Sequence, residues 1–168
     1  MANGLTVLYD ACVFYPNHLR DILMQLSTTG LFAAKWTEPI HDEWMRNLRL
    51  NRPDIDTDKL ETLKQRINQS VPDCLVTDFE HIIPSLDLPD PDDRHVLAAA
   101  IAVKADILVT VNLKDFPNSI LAQYDIEVQH PDNFIADLLD LKPLQIIQAI
   151  QTIQTRLKKP PVSFDEYL

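Results

Sequence analysis

The chain has 168 residues, of which 46% are hydrophobic and 24% charged, and its formal net charge at pH 7 is −10. This length is typical of one domain that buries its own core without disulfide bonds or structural zinc. Cys12 and Cys74 are isolated and form no redox or zinc motif. The negative charge argues against simple phosphate neutralisation as a way of holding nucleic acid. The presence of only two glycines excludes glycine-rich phosphate-binding loops.

Nothing in the sequence points to a membrane or to secretion. No run approaches the roughly 18 consecutive apolar residues that suggest a transmembrane helix. The amino terminus enters a strand-like run without the basic segment that opens a signal peptide. We therefore expect a cytoplasmic protein with no membrane partner.

Buried strands and amphipathic helices alternate along most of the chain. The strands are short apolar runs, and the helices carry apolar residues at spacings of three and four. In chain order the pattern predicts a strand at 5–9, a helix at 19–26, a strand at 31–36, helices at 38–50 and 57–69, a strand at 74–79, a helix at 90–104 and strands at 107–111 and 126–129. This alternation predicts an α/β fold with a parallel sheet of about five strands and helices on both faces.

The last part of the chain is predicted to be helical only, with helices at about 131–139 and 144–157. We therefore divide the chain into a domain at 1–135 and a helical extension at 136–168. Ile146, Ile150, Ile153 and Leu157 form an apolar stripe on the final helix. This stripe either packs on the core of the same chain or forms a surface for a second subunit or another partner.

Acidic residues occur where the predicted core elements end or begin. Asp10 ends the first strand, Asn112 and Asp115 follow the fourth, Asp93 lies at the start of a helix and Glu43 lies on another. The carboxyl ends of parallel strands form one edge of a sheet, where ligands bind. Oxygen ligands collected at such an edge are what Mg²⁺ requires. The pattern therefore predicts a metal site.

Each of these residues also has an ordinary structural explanation. Asp10 is suited to a turn after a strand, and Glu43 is suited to the solvated face of a helix. Asp90, Asp92 and Asp93 would together stabilise a helix amino terminus by capping and by their charge. Only the convergence of several acids at one edge favours the metal site over these explanations.

Other hydrolytic sites are not supported by the sequence. There is no Gly-x-Ser-x-Gly segment for a serine nucleophile and no His-Glu-x-x-His segment for zinc. The residue two positions after Asp10 is Cys12, whereas a haloacid-dehalogenase-like phosphatase requires a second aspartate there.

Four segments together resemble the PIN domain family, and most closely the VapC-type toxins of type II toxin–antitoxin systems. The segments are Leu8-Tyr9-Asp10, the helix at 38–44, the run Asp90-Pro91-Asp92-Asp93-Arg94-His95 with the apolar residues after it, and the run at 108–116. They occur in order within residues 5–135. The helical extension resembles one that a branch of these toxins carries.

The resemblance implies a three-layer α/β/α fold and RNA cleavage that depends on Mg²⁺ or Mn²⁺. By position, Asp10, Glu43 and Asp93 match the three core acids of the family. The usual fourth acid is replaced by Asn112, and Asp115 is our candidate for the missing charge. The predicted catalytic residues are therefore these four acids, and the predicted metal ligands are the same four with Asn112.

The resemblance also implies partners and a substrate. We expect a cognate antitoxin protein, a homodimer and an RNA substrate cleaved to leave a 5′-phosphate and a 3′-hydroxyl. Arg46 and Asn47, three and four residues after Glu43, are candidates for contact with the RNA backbone, although a salt-bridged surface would explain them equally well. Arg94 and Thr110 are further candidates for substrate contact.

Two other functions remain open at this point. A PIN fold that has lost its catalytic site, as Asn112 would suggest, could bind RNA or a protein without cleaving it. A housekeeping nuclease that processes RNA would share the site with a toxin but not its antitoxin.

Overall fold

A parallel sheet forms the centre of the protein, as expected. The computed structural model describes residues 4–15 and 17–157. Within these residues the sheet has four strands, β1 (Leu5–Tyr9), β2 (Phe32–Lys35), β3 (Ile107–Val109) and β4 (Glu127–Gln129), in the order β2-β1-β3-β4. All three strand pairs are parallel, and the register places Val7 opposite both Ala34 and Ile107.

Seven helices connect and cover the strands in the described ranges. They are α1 (Asn17–Ser27), α2 (Glu38–Asn51), α3 (Thr57–Ser70), α4 (Arg94–Ala102), α5 (Asn118–Leu121), α6 (Pro131–Leu141) and α7 (Pro143–Leu157). The chain moves one way along the sheet from β1 to β2 and the other way from β2 to β3. Right-handed connections therefore place α1 and α4 on opposite faces. The prediction of a three-layer α/β/α fold is confirmed.

The prediction of about five strands was wrong by one strand. Residues 74–79 form only an isolated parallel bridge between Trp36 and Leu75, with hydrogen bonds of 2.9 Å on either side of it. Asp73 and Asp78 have positive φ values of 56° and 59°. Because this left-handed conformation interrupts extended backbone, it limits pairing to the residues between them. An apolar run alone did not reveal these turns.

The helix predicted from residue 90 begins later. Pro91–Asp93 form a single 3₁₀ turn, and the α-helix starts at Arg94. Asp90 caps this turn, because its carboxylate accepts a 2.9 Å hydrogen bond from the backbone N–H of Asp92. The capping role that the sequence suggested for the acidic triplet is therefore filled by Asp90.

Large aromatic side chains form the core directly beneath the carboxyl end of β1. Tyr9 stacks on Trp36 with ring centroids 6.0 Å apart, and Phe14 packs against Trp36 and Trp44 at 5.5 and 6.1 Å. All four side chains are essentially inaccessible to solvent. Phe14 ends the 3₁₀ turn at Ala11–Val13, so its burial fixes the segment that follows Asp10.

The apolar stripe of α7 packs mainly on the protein's own core. Ile146 is fully buried, and Ile150 lies partly buried against the same core. Helix α7 contacts both α1 and α6. Packing on the core is therefore confirmed for this part of the stripe, whereas the side chain of Leu157 lies outside the described residues. The division of the chain at residue 135 stays a prediction.

No helix in the described part of the chain is long and apolar enough to cross a membrane.

Candidate active site

The sheet topology creates a crevice at the carboxyl ends of β1 and β3. These two strands are neighbours, and the chain leaves β1 toward one edge of the sheet and later returns to build β3 on its other side. Ligands of open parallel sheets bind at such a reversal of strand order. Asp10 directly follows β1, and Thr110 directly follows β3. Both residues therefore lie at the expected position.

Asp10 is a buried carboxylate held by two strong hydrogen bonds. Its side chain accepts 2.7 Å from the backbone N–H of Ala11 and 2.8 Å from the hydroxyl of Thr110, and the residue is only 3% exposed. Burial raises the pKa of Asp10, while the hydrogen bonds from Thr110 and Ala11 oppose the rise. The sequence suggested Thr110 as a substrate contact, and the structure places it fully buried against Asp10.

Cys12 completes this cluster. Its Sγ lies 3.4 Å from Asp10 Oδ2 and 3.4 Å from the Thr110 hydroxyl, and it accepts a hydrogen bond from the backbone N–H of Val111. Burial and the neighbouring Asp10 charge raise the pKa of Cys12 to about 12. The thiol therefore stays protonated at neutral pH and acts as a hydrogen-bond donor to Asp10. The sequence gave no sign of this contact between β1 and β3.

Asp93 provides a second carboxylate at the same edge. It lies at the start of α4, yet its side chain makes no capping hydrogen bond there. The pKa of Asp93 is raised to about 7, first by burial and then by the charges of Asp10, Asp90, Asp115 and Glu43. The charges of the other three predicted catalytic acids therefore act on the carboxylate of Asp93. This carboxylate makes no capping hydrogen bond to α4.

Glu43 reaches the site from α2 and faces His95. Its Oε1 lies 3.7 Å from His95 Nε2, within ion-pair distance but beyond hydrogen-bond distance. The other ring nitrogen, His95 Nδ1, is buried and has no hydrogen-bond partner among the described residues. No local pattern in the sequence indicates the contact of His95 with Glu43, because the two residues lie on different helices, α4 and α2.

Asn112 and Asp115 belong to the turn that follows β3. The backbone N–H of Asn112 donates a 3.0 Å hydrogen bond to the Thr110 hydroxyl, and Asn112 precedes the 3₁₀ turn Leu113–Asp115 without capping it through its side chain. Its amide therefore remains exposed beside the crevice. Asp115 is half-buried, and its charge is among those that raise the pKa of Asp93.

The donor chemistry of the site fits a hard divalent cation. Carboxylate oxygens are the ligands that Mg²⁺ and Mn²⁺ prefer, and the mutual repulsion at Asp93 reveals an excess of negative charge that a cation would neutralise. However, in residues 4–15 and 17–157 no three acidic, histidine or cysteine side chains are close enough to hold a metal ion together. A bound cation would have to draw the carboxylates closer.

The predicted RNA contacts differ in their surroundings. Arg46 and Asn47 are exposed on α2, one turn beyond Glu43. Arg94 is engaged with the backbone, because its Nε donates a 3.0 Å hydrogen bond to the carbonyl of Pro91. Arg46 and Asn47 therefore remain the more accessible of the predicted contacts.

Comparison with known proteins gives two family matches. Residues 6–114 match the model of the PIN domain, and residues 131–168 match the model of the VapC50 C-terminal domain. A segment of 49 residues is 55% identical to a Mycobacterium tuberculosis protein named "Putative ribonuclease VapC50". This segment covers 29% of the present chain and 29% of that relative. No solved structure matches the chain significantly.

Proposed function

The chain belongs to the PIN domain family, and from this premise we propose that it is an endoribonuclease that hydrolyses RNA with Mg²⁺ or Mn²⁺. The observation that carries the proposal is the pairing of Asp10 with Thr110 at the reversal of strand order, beside Asp93 and Glu43. The name of the curated relative, a ribonuclease, supports the same reaction class.

Four acidic residues of the protein would hold the cation. Asp10 is fixed in position by Thr110 and Cys12, so its carboxylate is prearranged for a ligand. Asp93 and Glu43 approach from α4 and α2, and with Asp115 they would hold the cation. When bound, a divalent cation supplies an activated water and offsets charge on the scissile phosphate.

RNA would approach along α2. Arg46 carries a positive charge on the helix that bears Glu43, and Asn47 offers an amide on the same exposed surface. Hydrolysis at phosphorus would leave a 5′-phosphate and a 3′-hydroxyl. In a protein with a net charge of −10, such a local contact has to replace a broad basic surface.

Substitution of Asp10 tests this assignment. We expect purified Asp10→Asn protein to lose Mg²⁺-dependent cleavage of RNA by at least about a hundredfold, since a charged ligand becomes neutral. Asp92→Asn is the matched control, because Asp92 is exposed on the same edge and supplies only its backbone N–H to Asp90. Thermal unfolding would verify that both variants fold. Full activity of Asp10→Asn would contradict the mechanism.

We further propose that the nuclease is the toxin of a toxin–antitoxin pair in the cytoplasm and acts as a homodimer. The match of residues 131–168 to the VapC50 C-terminal domain supports the assignment as a VapC-type toxin. Expression of the chain alone should arrest growth, and co-expression of a small protein encoded beside it should relieve the arrest. Normal growth on expression of active enzyme would favour a housekeeping nuclease instead.

A catalytically inactive RNA-binding or protein-binding module is the second candidate. Two observations favour it: Asn112 replaces an acid, and the described side chains form no closed group of three ligands. Calorimetric titration with Mn²⁺ separates the candidates. Binding at millimolar or lower concentration, lost in Asp10→Asn, supports the nuclease, whereas absence of binding supports the inactive module.

A further inference from the structure

A second concave surface lies between α1, α3 and α7 and shares no residue with the acidic site. It encloses a cavity of about 220 Å³. Among the described residues that line it are three arginines, Arg20 on α1, Arg66 on α3 and Arg156 on α7, and one aspartate, Asp21. The cavity therefore collects charged groups from three helices that are far apart in the sequence.

The lining of this cavity is positive in an acidic protein. The whole chain has 15 lysines and arginines against 25 aspartates and glutamates, but among the described residues that line the cavity there are three arginines and one aspartate. Such a local reversal of charge attracts anions, because a partly enclosed concave surface concentrates the field of its charges.

Two of the three guanidinium groups are held in place. Arg20 is 5% exposed, and its Nη1 donates a 3.1 Å hydrogen bond to the carbonyl of Phe14. Arg156 Nη2 lies 3.1 Å from Asp21 Oδ1. Because these side chains are already ordered, a ligand that binds to them loses less conformational entropy on their account.

The third arginine is available to a ligand. Arg66 is exposed at the cavity, and within residues 4–15 and 17–157 it makes no hydrogen bond and no ion pair. A planar guanidinium group of this kind binds phosphate oxygens through two parallel N–H donors. Arg66 is therefore the residue whose removal would most directly affect an anionic ligand.

The remaining lining is mostly apolar, with Ser70 as a further polar residue. Met24 and Leu63 line the cavity beside the arginines. The volume of about 220 Å³ exceeds that of a cavity of roughly 150 Å³ that admits a benzene ring. A phosphate group and part of a ring attached to it would fit such a space.

We propose that the cavity between α1, α3 and α7 is a binding site for a phosphate group, carried either by an RNA strand or by a free phosphate compound. Three arginines, two of them fixed, supply the planar groups of N–H donors that bind the oxygens of a phosphate. The site lies outside the carboxylate cluster, so phosphate binding there requires no divalent cation.

Inorganic phosphate is the direct probe. The full chain, its Arg66→Gln variant and its Lys59→Gln variant would be unfolded thermally at increasing phosphate concentration and at constant ionic strength with chloride. Lys59 is the matched control, since it is an exposed cation on α3 that does not line the cavity. We expect phosphate to stabilise wild type and Lys59→Gln, with an apparent affinity at least about tenfold weaker in Arg66→Gln. Equal stabilisation of Arg66→Gln, or none of wild type, would overturn the proposal.

A labelled RNA oligonucleotide distinguishes the two sources of the phosphate. This part rests on the proposed function and uses an Asp10→Asn background so that no strand is cut. If RNA occupies the cavity, Arg66→Gln weakens RNA binding more than Lys59→Gln does and lowers the slope of log affinity against log salt by about one. If phosphate depends on Arg66 but RNA does not, the ligand is a free phosphate compound, and the proposed nuclease is unaffected.

Discussion

Thr110 and Asp10 are joined by a 2.8 Å hydrogen bond although they lie 100 residues apart in the chain. This bond ties the carboxyl end of β3 to that of β1. The bond also stabilises the ionised carboxylate of Asp10, because burial alone would favour the protonated form of its side chain. The same hydroxyl accepts the backbone N–H of Asn112. The side chain of Thr110 thus fixes both Asp10, after β1, and the backbone of Asn112, after β3.

Substitution of Thr110 by valine should therefore weaken the protein and the site together. Valine has nearly the same shape but donates no hydrogen bond, so the buried Asp10 carboxylate loses a partner. We expect about 1–3 kcal/mol less stability in denaturant unfolding and at least about tenfold slower RNA cleavage. Thr152→Val, on the exposed surface of α7, is the control. Wild-type stability and rate in Thr110→Val would show that the bond has no such role.

The raised pKa of Asp93 predicts a dependence of stability on pH in the absence of metal. The unfolded chain releases this proton near the ordinary value of 3.8, whereas the folded protein holds it until about pH 7. The folded state therefore binds more protons between these values, so the contribution of Asp93 to stability falls as pH rises from about 4 to 7.

Urea unfolding of wild type and Asp93→Asn at pH 5 and pH 8 measures this contribution. Wild type should lose stability relative to Asp93→Asn at the higher pH, and added Mg²⁺ should recover part of the loss by offsetting the repulsion among the carboxylates. A difference between the two proteins that is the same at both pH values would contradict the raised pKa.

His95 should act on the site through Glu43. Its Nε2 lies 3.7 Å from the Glu43 carboxylate, within ion-pair distance. Replacement by glutamine removes the imidazole ring, which carries a positive charge when protonated, and with it the ion pair to Glu43. We expect Mn²⁺ affinity to fall about tenfold, as is typical when a group that orients a metal ligand is lost. His81→Gln, an exposed substitution, should change nothing. Equal Mn²⁺ affinity in both variants would remove His95 from the site.

Asn112→Asp should strengthen cation binding. The amide of Asn112 stands beside the crevice and is not used for capping, so a carboxylate there would add charge without breaking a contact. We expect tighter Mn²⁺ binding in calorimetry and faster cleavage, together with lower stability when no metal is present, because a further negative charge is added near Asp93. Gln123→Glu adds the same charge at another exposed position. An identical response of both variants would mean that the effect is not local.

The parts of the site that follow from local rules could be predicted from sequence. Asp10 was found because a buried run ends there, and Asp90 because proline follows it at the start of a helical pattern. The contacts of Cys12 and His95 could not be predicted, since each depends on a residue from another element. A full strand was predicted at 74–79 where the structure has only the isolated bridge at Leu75, because the left-handed turns around the bridge leave no mark in an apolar pattern.

The aromatic core beneath Asp10 has a practical consequence. The chain contains two tryptophans, Trp36 and Trp44, and both are fully buried against Phe14 at the end of the segment that carries Asp10. All tryptophan fluorescence of the chain therefore arises from the aromatic core directly beneath the candidate site. An unlabelled sample would report a shift of this segment on cation binding as a change in emission intensity or wavelength.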